Sequence, residues 1–146
     1  MAETIGSLCD KLTILELKHF HTEDIERLNN IKGQQQQLIA EIDEYISNAK
    51  NGVIPPEKLI FEANKVFAKK GNDVREFTAS FGDTFAELAK INNDLWHEQE
   101  KVYEFEKVPD DEKNKVVKRL AILNLERNKC IDALNLSLFN SVQNGK

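Results

Sequence analysis

The chain has 146 residues, 40% hydrophobic and 31% charged, with a formal charge of −5. That length buries a real core in one domain, 1–146, and the composition excludes a disordered polyelectrolyte. Six Gly and three Pro are too few for the turns of an all-β chain, and the acidic balance argues against nucleic acid or an anionic membrane as partner.

The first helix is expected from about Thr4 to His21, with Thr4 as N-cap and Ser7 in place of the usual acidic capping-box residue. Leu8, Leu12 and Leu15 make its main stripe, flanked by Ile5, Cys9 and Phe20. Only a narrow face is clearly polar, so this helix is expected to be central or half-buried in an interface. Ile14 and Leu17 lie off the stripe and are the best hints of a partner surface. Thr22 is the expected cap of a second helix running to about Ala49, with Gln34–Gln37 read as a solvated face. Asn51-Gly52 ends it, and Pro55-Pro56 opens a shorter helix to about Lys70. After Gly71-Asn72, apolar residues recur at helical steps from Val74 to Val102. This is either one helix to about Lys107 or two pieces broken at Gly82-Asp83, with Asp83 or Thr84 as cap. Pro109-Asp110-Asp111-Glu112 starts a last helix to about Val142. The expected fold is therefore all-α, an antiparallel up-down bundle of four long helices plus one shorter helix.

On helical wheels of about 100° per residue, polar groups fall inside apolar arcs. Arg127 lies among Leu120, Leu123, Ile131, Leu134 and Leu138, with Asn124 nearby and Asn128 at the edge. Glu16 and His19 lie inside the first helix's arc, and Asn92 and Gln99 inside that of the Leu88–Val102 segment. A buried guanidinium keeps its charge and needs a partner. The simplest is Glu16, with His19, Asn92 and Asn124 completing the hydrogen bonds. Asp10 and Glu98 sit nearer the edges of their stripes and are weaker alternatives. Such a layer either fixes helix register or lines a pocket for an anionic or polar ligand. Trp96, at the border of its stripe, is read as core.

Other chemistry is thinly represented. Glu16-Leu17-Lys18-His19 is half of a di-iron carboxylate motif, but the second match, Asp94-Leu95-Trp96-His97, faces away from the apolar stripe. No metal and no cofactor is expected. There is no Cys-x-x-Cys, Gly-rich phosphate loop or Gly-x-Ser-x-Gly. Cys9 and Cys130 lie on apolar faces and read as reduced, buried small hydrophobes of a cytoplasmic protein. No apolar run approaches the roughly 20 residues of a membrane span, and the Met1-Ala2-Glu3-Thr4 start lacks the features of a signal peptide.

Three segments carry a resemblance: Thr4-Ile5-Gly6 through Asp10-Lys11-Leu12-Thr13-Ile14 to Lys18, then Asn92 to Leu95-Trp96-His97-Glu98, then Leu123-Asn124 through Arg127-Asn128 to Ile131-Asp132. Together they resemble a group of small bacterial proteins of unknown function, with a Thr-Ile-Gly-x-Leu-x-Asp-Lys-Leu-x-Ile helix, a Leu-Trp segment and a late Asn-x-x-Arg-Asn step. Members are often encoded near glycosyltransferases of surface-polysaccharide pathways. Ser7 and Gln99 stand where the group carries acidic residues, which weakens any carboxylate-based site. The resemblance implies no activity.

The expected function is a non-enzymatic interaction or accessory module, linked to glycan assembly, acting on a protein partner or on a second copy of itself. The alternative is a ligand-binding protein or enzyme whose site is the layer of Glu16, His19, Asn92, Gln99, Asn124, Arg127 and Asn128.

Overall fold

The computed structural model describes residues 3–60, 77 and 80–144. They form four α-helices: α1 (Ile5–His21), α2 (Ile25–Lys50), α3 (Phe81–Tyr103) and α4 (Asp110–Asn144). Single 3₁₀ turns occur at Pro56–Lys58 and Phe105–Lys107, and no strand occurs among the described residues. The all-α expectation therefore holds. No helix among the described residues is long and apolar enough to cross a membrane. Of the expected shorter helix, only the opening turn at Pro56 is described; positions 61–70 lie outside the described residues.

The helix starts follow local capping chemistry. Ser7 takes the acidic residue's place in a full capping box: Thr4 N–H donates to Ser7 Oγ at 2.8 Å, and Ser7 N–H to Thr4 Oγ1 at 3.3 Å. The cap of α2 is Asp24, not Thr22. Its carboxylate accepts from the N–H groups of Glu26 and Arg27, while the Thr22 hydroxyl turns back to Lys18 O at 2.5 Å. A carboxylate is the stronger acceptor at a positive helix end. Helix α2 stops at Asn51, and Gly52 takes the positive φ of +77° that follows. Helix α3 begins at Phe81 on a Ser80 cap and includes Gly82, so neither Asp83 nor Thr84 caps it; of the expected turn and helical stretch before it, positions 71–76, 78 and 79 lie outside the described residues. Pro109 and three acidic residues open α4 as expected.

One core joins the helices through Ile5, Leu8 and Cys9 of α1, Leu38 and Ile42 of α2, Leu88 and Ile91 of α3, and Leu123, Cys130, Leu134 and Leu138 of α4. Helix α1 packs against each of the other three, and the α3–α4 contact is the most extensive. The centrality of α1 is uneven along its length. Six of its residues from Ile5 to Thr13 are buried, whereas none from Ile14 to His21 is. The helix enters the core at its N-terminus and emerges at its C-terminus.

The entry point is tight. The N–H of Gly6, one of the donors that a helix start leaves unpaired, donates to Asn135 Oδ1 of α4 at 2.7 Å, fully buried. A Cβ at Gly6 would collide with the Ile131 carbonyl oxygen and lie 2.8 Å from Asn135 Oδ1. The first obstacle is backbone, so relief requires moving α4. Gly6→Ala should therefore lower stability by about 1–3 kcal/mol, a fall in Tm of roughly 3–10 °C for a chain of this size. Gly33→Ala is the internal control. Nothing lies within 4 Å of a Cβ there, and removing an exposed mid-helix glycine should hold or raise Tm. Equal, negligible shifts for both variants in scanning calorimetry would refute the close approach of α1 and α4.

Candidate functional site

The polar layer exists, but its centre is Asp10 rather than Arg127. Asp10 is buried on α1, with 7% of its side chain exposed against 33% for Arg127. Arg127 grips it with both arms of a fork: Nε donates to Oδ1 at 2.9 Å and Nη2 to Oδ2 at 2.5 Å. Asn92 of α3 spends both amide hydrogens here, on Asp10 Oδ1 at 2.9 Å and Thr13 Oγ1 at 2.7 Å. The Thr13 hydroxyl in turn donates to the Asp10 carbonyl at 2.8 Å. Three helices thus close one network over one carboxylate. Its hydrogen bonds and charge hold the Arg127 guanidinium above its ordinary pKa, against the opposing effect of burial.

The expected Glu16–Arg127 pair does not form. Glu16 is exposed, and its carboxylate accepts from Gln35 Nε2 of α2 at 2.8 Å. Gln35 is buried, so it leaves the solvated face expected for its run, while Gln34, Gln36 and Gln37 stay on it. Asn124 is exposed and bonds its own helix at Leu120 O. Glu98, the other alternative partner, is buried but paired with Arg119 and Lys101. Gln99 and Asn128 are half-buried. A wheel averages a helix over its length: Glu16 falls in the emerging half of α1, past its last buried residue, Thr13. On α4 the buried residues Leu123, Glu126, Cys130 and Leu134 step by three and four, and Asn124 lies outside that face.

Sequence reasoning missed Thr13 and Asn135. The available signal was positional: Gly6, Asp10 and Thr13 lie at i, i+4 and i+7, and Arg127, Ile131 and Asn135 at i, i+4 and i+8. The four-residue step Gly6–Asp10 faces the equal step Arg127–Ile131 on α4, while Thr13 turns toward Asn92 of α3.

Two open grooves flank the emerging part of α1. One, of about 590 Å³, lies between α1 and α3. Leu12, Leu17, Phe20, Phe85 and Ala89 make it largely apolar, with Thr13, Glu16 and His19 on its α1 wall. The other, of about 430 Å³, lies between α1 and α2, with Ile14 and Leu15 as floor and Lys11, Lys18, Gln34 and Glu41 around it. Neither is lined by Asp10, Asn92 or Arg127. Phe20 stands 84% exposed at the end of the first groove. Trp96 is half-buried rather than core, and stacks on His21 with ring centroids 4.9 Å apart.

Cys9 and Cys130 are both buried, and neither is in a disulfide. Burial, with the Asp10 charge adding to it, pushes the Cys9 thiol up to about 12.

Removing Arg127 strands a buried carboxylate, whereas removing the Asp10 charge leaves a guanidinium that reaches water. Arg127→Met should therefore cost about 3 kcal/mol, the lower end for breaking a buried pair, and Asp10→Asn about half that. The double variant should fall short of the sum by about 1 kcal/mol or more in urea unfolding. A near-neutral Arg127→Met would sink the closed network. The thiols give a second prediction. At pH 8 neither should react with a thiol reagent in the native protein, and both should react once it is unfolded. Because the folded Cys9 keeps its proton to about 12 and the ordinary value is 9.0, its contribution to stability is intact below pH 9 and is lost as pH rises through that interval. Rapid native labelling would contradict the burial of both cysteines.

No family model matches the chain, and it has no match among curated proteins or among solved structures.

Proposed function

We propose that this chain is a non-enzymatic interaction module, a cytoplasmic up-down antiparallel four-helix bundle that works through the emerging half of α1. The order of contacts supports that arrangement. Gly6 meets Asn135 while Asp10 meets Arg127, so α1 and α4 run oppositely. Glu16 meets Gln35, and Lys11 shares a groove with Glu41, which opposes α1 and α2. Asn92 meets Asp10 and Trp96 meets His21, the order that α3 running alongside α1 in the same sense would give.

One observation carries the interaction reading. The charged layer is closed on itself, and the neighbouring open surface is an apolar groove with a nearly bare phenylalanine at its end. Apolar surface of that kind is what protein partners cover. Leu17 lines this groove and Ile14 the other, so the two residues off the main stripe both face open surface. The resemblance to proteins encoded near surface-polysaccharide glycosyltransferases supports glycan-assembly enzymes as the class of partner. A second reading keeps one specific support: Glu16 and His19 stand on the wall of a groove of ligand size.

The test is a thermal-shift screen of the wild type, Arg127→Met and Phe20→Asp against nucleotides, nucleotide-sugars and sugar phosphates, paired with co-purification of a glycosyltransferase encoded beside the gene. The interaction reading expects no small-molecule shift, and recovery of the enzyme with wild type but not with Phe20→Asp. A small-molecule shift seen in wild type and in Arg127→Met but lost in Phe20→Asp would replace it with the ligand-binding reading, with the ligand in the α1–α3 groove.

A further inference from the structure

We infer that His21 and His97 form a surface site for a divalent transition ion of the Zn²⁺, Ni²⁺ or Cu²⁺ class. The two residues are 76 positions apart in the chain, and packing of α1 against α3 brings their rings to 5.8 Å between centroids at 81°. A metal–imidazole bond of about 2.0–2.1 Å sets two rings on one tetrahedral ion with centroids roughly 5.2 Å apart, so the observed separation is about 0.6 Å too long. Side-chain rotation at two exposed residues supplies that difference.

Each ring is already prepared as a ligand. His97 Nδ1 bonds the Glu100 carboxylate at 2.8 Å. That contact keeps the proton on Nδ1 and leaves the lone pair on Nε2, the arrangement in which a carboxylate orients a metal-bound histidine. The His21 ring is held by its face. It stacks on Trp96 at 4.9 Å and 10°, with Phe20 edge-on at 5.2 Å. Stacking covers the face and leaves the nitrogens at the rim, where neither has a hydrogen-bond partner among the described residues.

Among the described residues no group of three His, Cys, Asp or Glu side chains gathers as a metal cage. The pair therefore supplies two ligands, and water completes the shell. Such a site is open and exchangeable, unlike a closed structural one. Imidazole nitrogens select borderline ions over Mg²⁺ and Ca²⁺. The net charge of −5 adds a general attraction for cations.

Trp96 is the chain's single tryptophan and lies against one of the two ligands, which makes it a built-in reporter. Tag-free protein is titrated with Cu²⁺ while Trp96 emission is followed, and with Zn²⁺ by calorimetry. The expected result is saturable quenching at one ion per chain, reversed by EDTA. His97→Ala and His21→Ala should each weaken binding about tenfold or more, and Glu100→Gln should weaken it by about the same factor, as loss of an orienting carboxylate does. His19→Ala should bind like wild type, and Mg²⁺ should give no signal. Because His21→Ala also removes the stack on Trp96, calorimetry decides that variant, and circular dichroism confirms that each variant is folded. Quenching that does not saturate, or Zn²⁺ affinity that either histidine variant leaves unchanged, overturns the site.

Discussion

The register of α1 against α4 depends on one ion pair. Asp10 is the carboxylate taken most completely out of water in the polar layer, and Arg127 supplies both of its charged hydrogen bonds. On α1, Gly6 and Asp10 are four residues apart. On α4, Ile131 and Asn135 meet Gly6 while Arg127, four residues before Ile131, meets Asp10. Sliding one helix by a turn, about 5.4 Å, would bury Asp10 unpaired and strip the Gly6 N–H of its acceptor. Each loss costs several kcal/mol at an interior site. A purely apolar seam would tolerate the slip, because leucines and isoleucines exchange neighbours at little cost. The pair thus selects an arrangement more than it deepens stability, and Asn92 extends that selection to α3.

The same seam explains why α1 has two characters. Its first turns are pinned by Gly6 and Asp10 and enclosed by the other helices. Past Thr13 no ion pair to another helix holds it among the described residues, and the helix rises out of the core with its apolar residues still in place. Leu17 and Phe20 then border a groove instead of a core, and the exposed His21 stacks on Trp96. A helix that continues apolar beyond the point where its neighbours cover it creates open apolar surface without any loop or insertion. The interaction reading rests on that geometry.

The existence of the four described α-helices was legible from periodicity, and the starts of α1 and α4 were placed within a residue. The starts of α2 and α3 were less so, because several capping residues stood in a row. Asp24 and Ser80 won by geometry that composition does not reveal. The layer was legible as a requirement: an arginine at 127 on an apolar face had to have an acid. Choosing Asp10 over Glu16 required knowing where along α1 the core ends, which is a tertiary property. Position on a wheel favoured Glu16, and depth along the axis favoured Asp10. The juxtaposition of His21 with His97 was illegible for the same reason, since each lies off its helix's apolar stripe and neither signals the other.

The closed pair also constrains which ligands this chain could hold. An anion seeking Arg127 must displace Asp10 from Nε and Nη2, leaving the carboxylate buried without its cation. The gain from a new charge-assisted contact at a guanidinium one-third exposed is smaller than that loss. An anion site at Arg127 is therefore self-defeating in this fold. The α1–α3 groove has the opposite polarity, with a carboxylate, an imidazole and apolar side chains on its walls. A ligand there would be neutral or cationic with an apolar body, and a helix presenting leucines and a lysine fits that description as well as any small molecule does. Because Asp10 took Arg127 inside, Glu16 was left at the surface, where among the described residues its carboxylate accepts from the Gln35 amide.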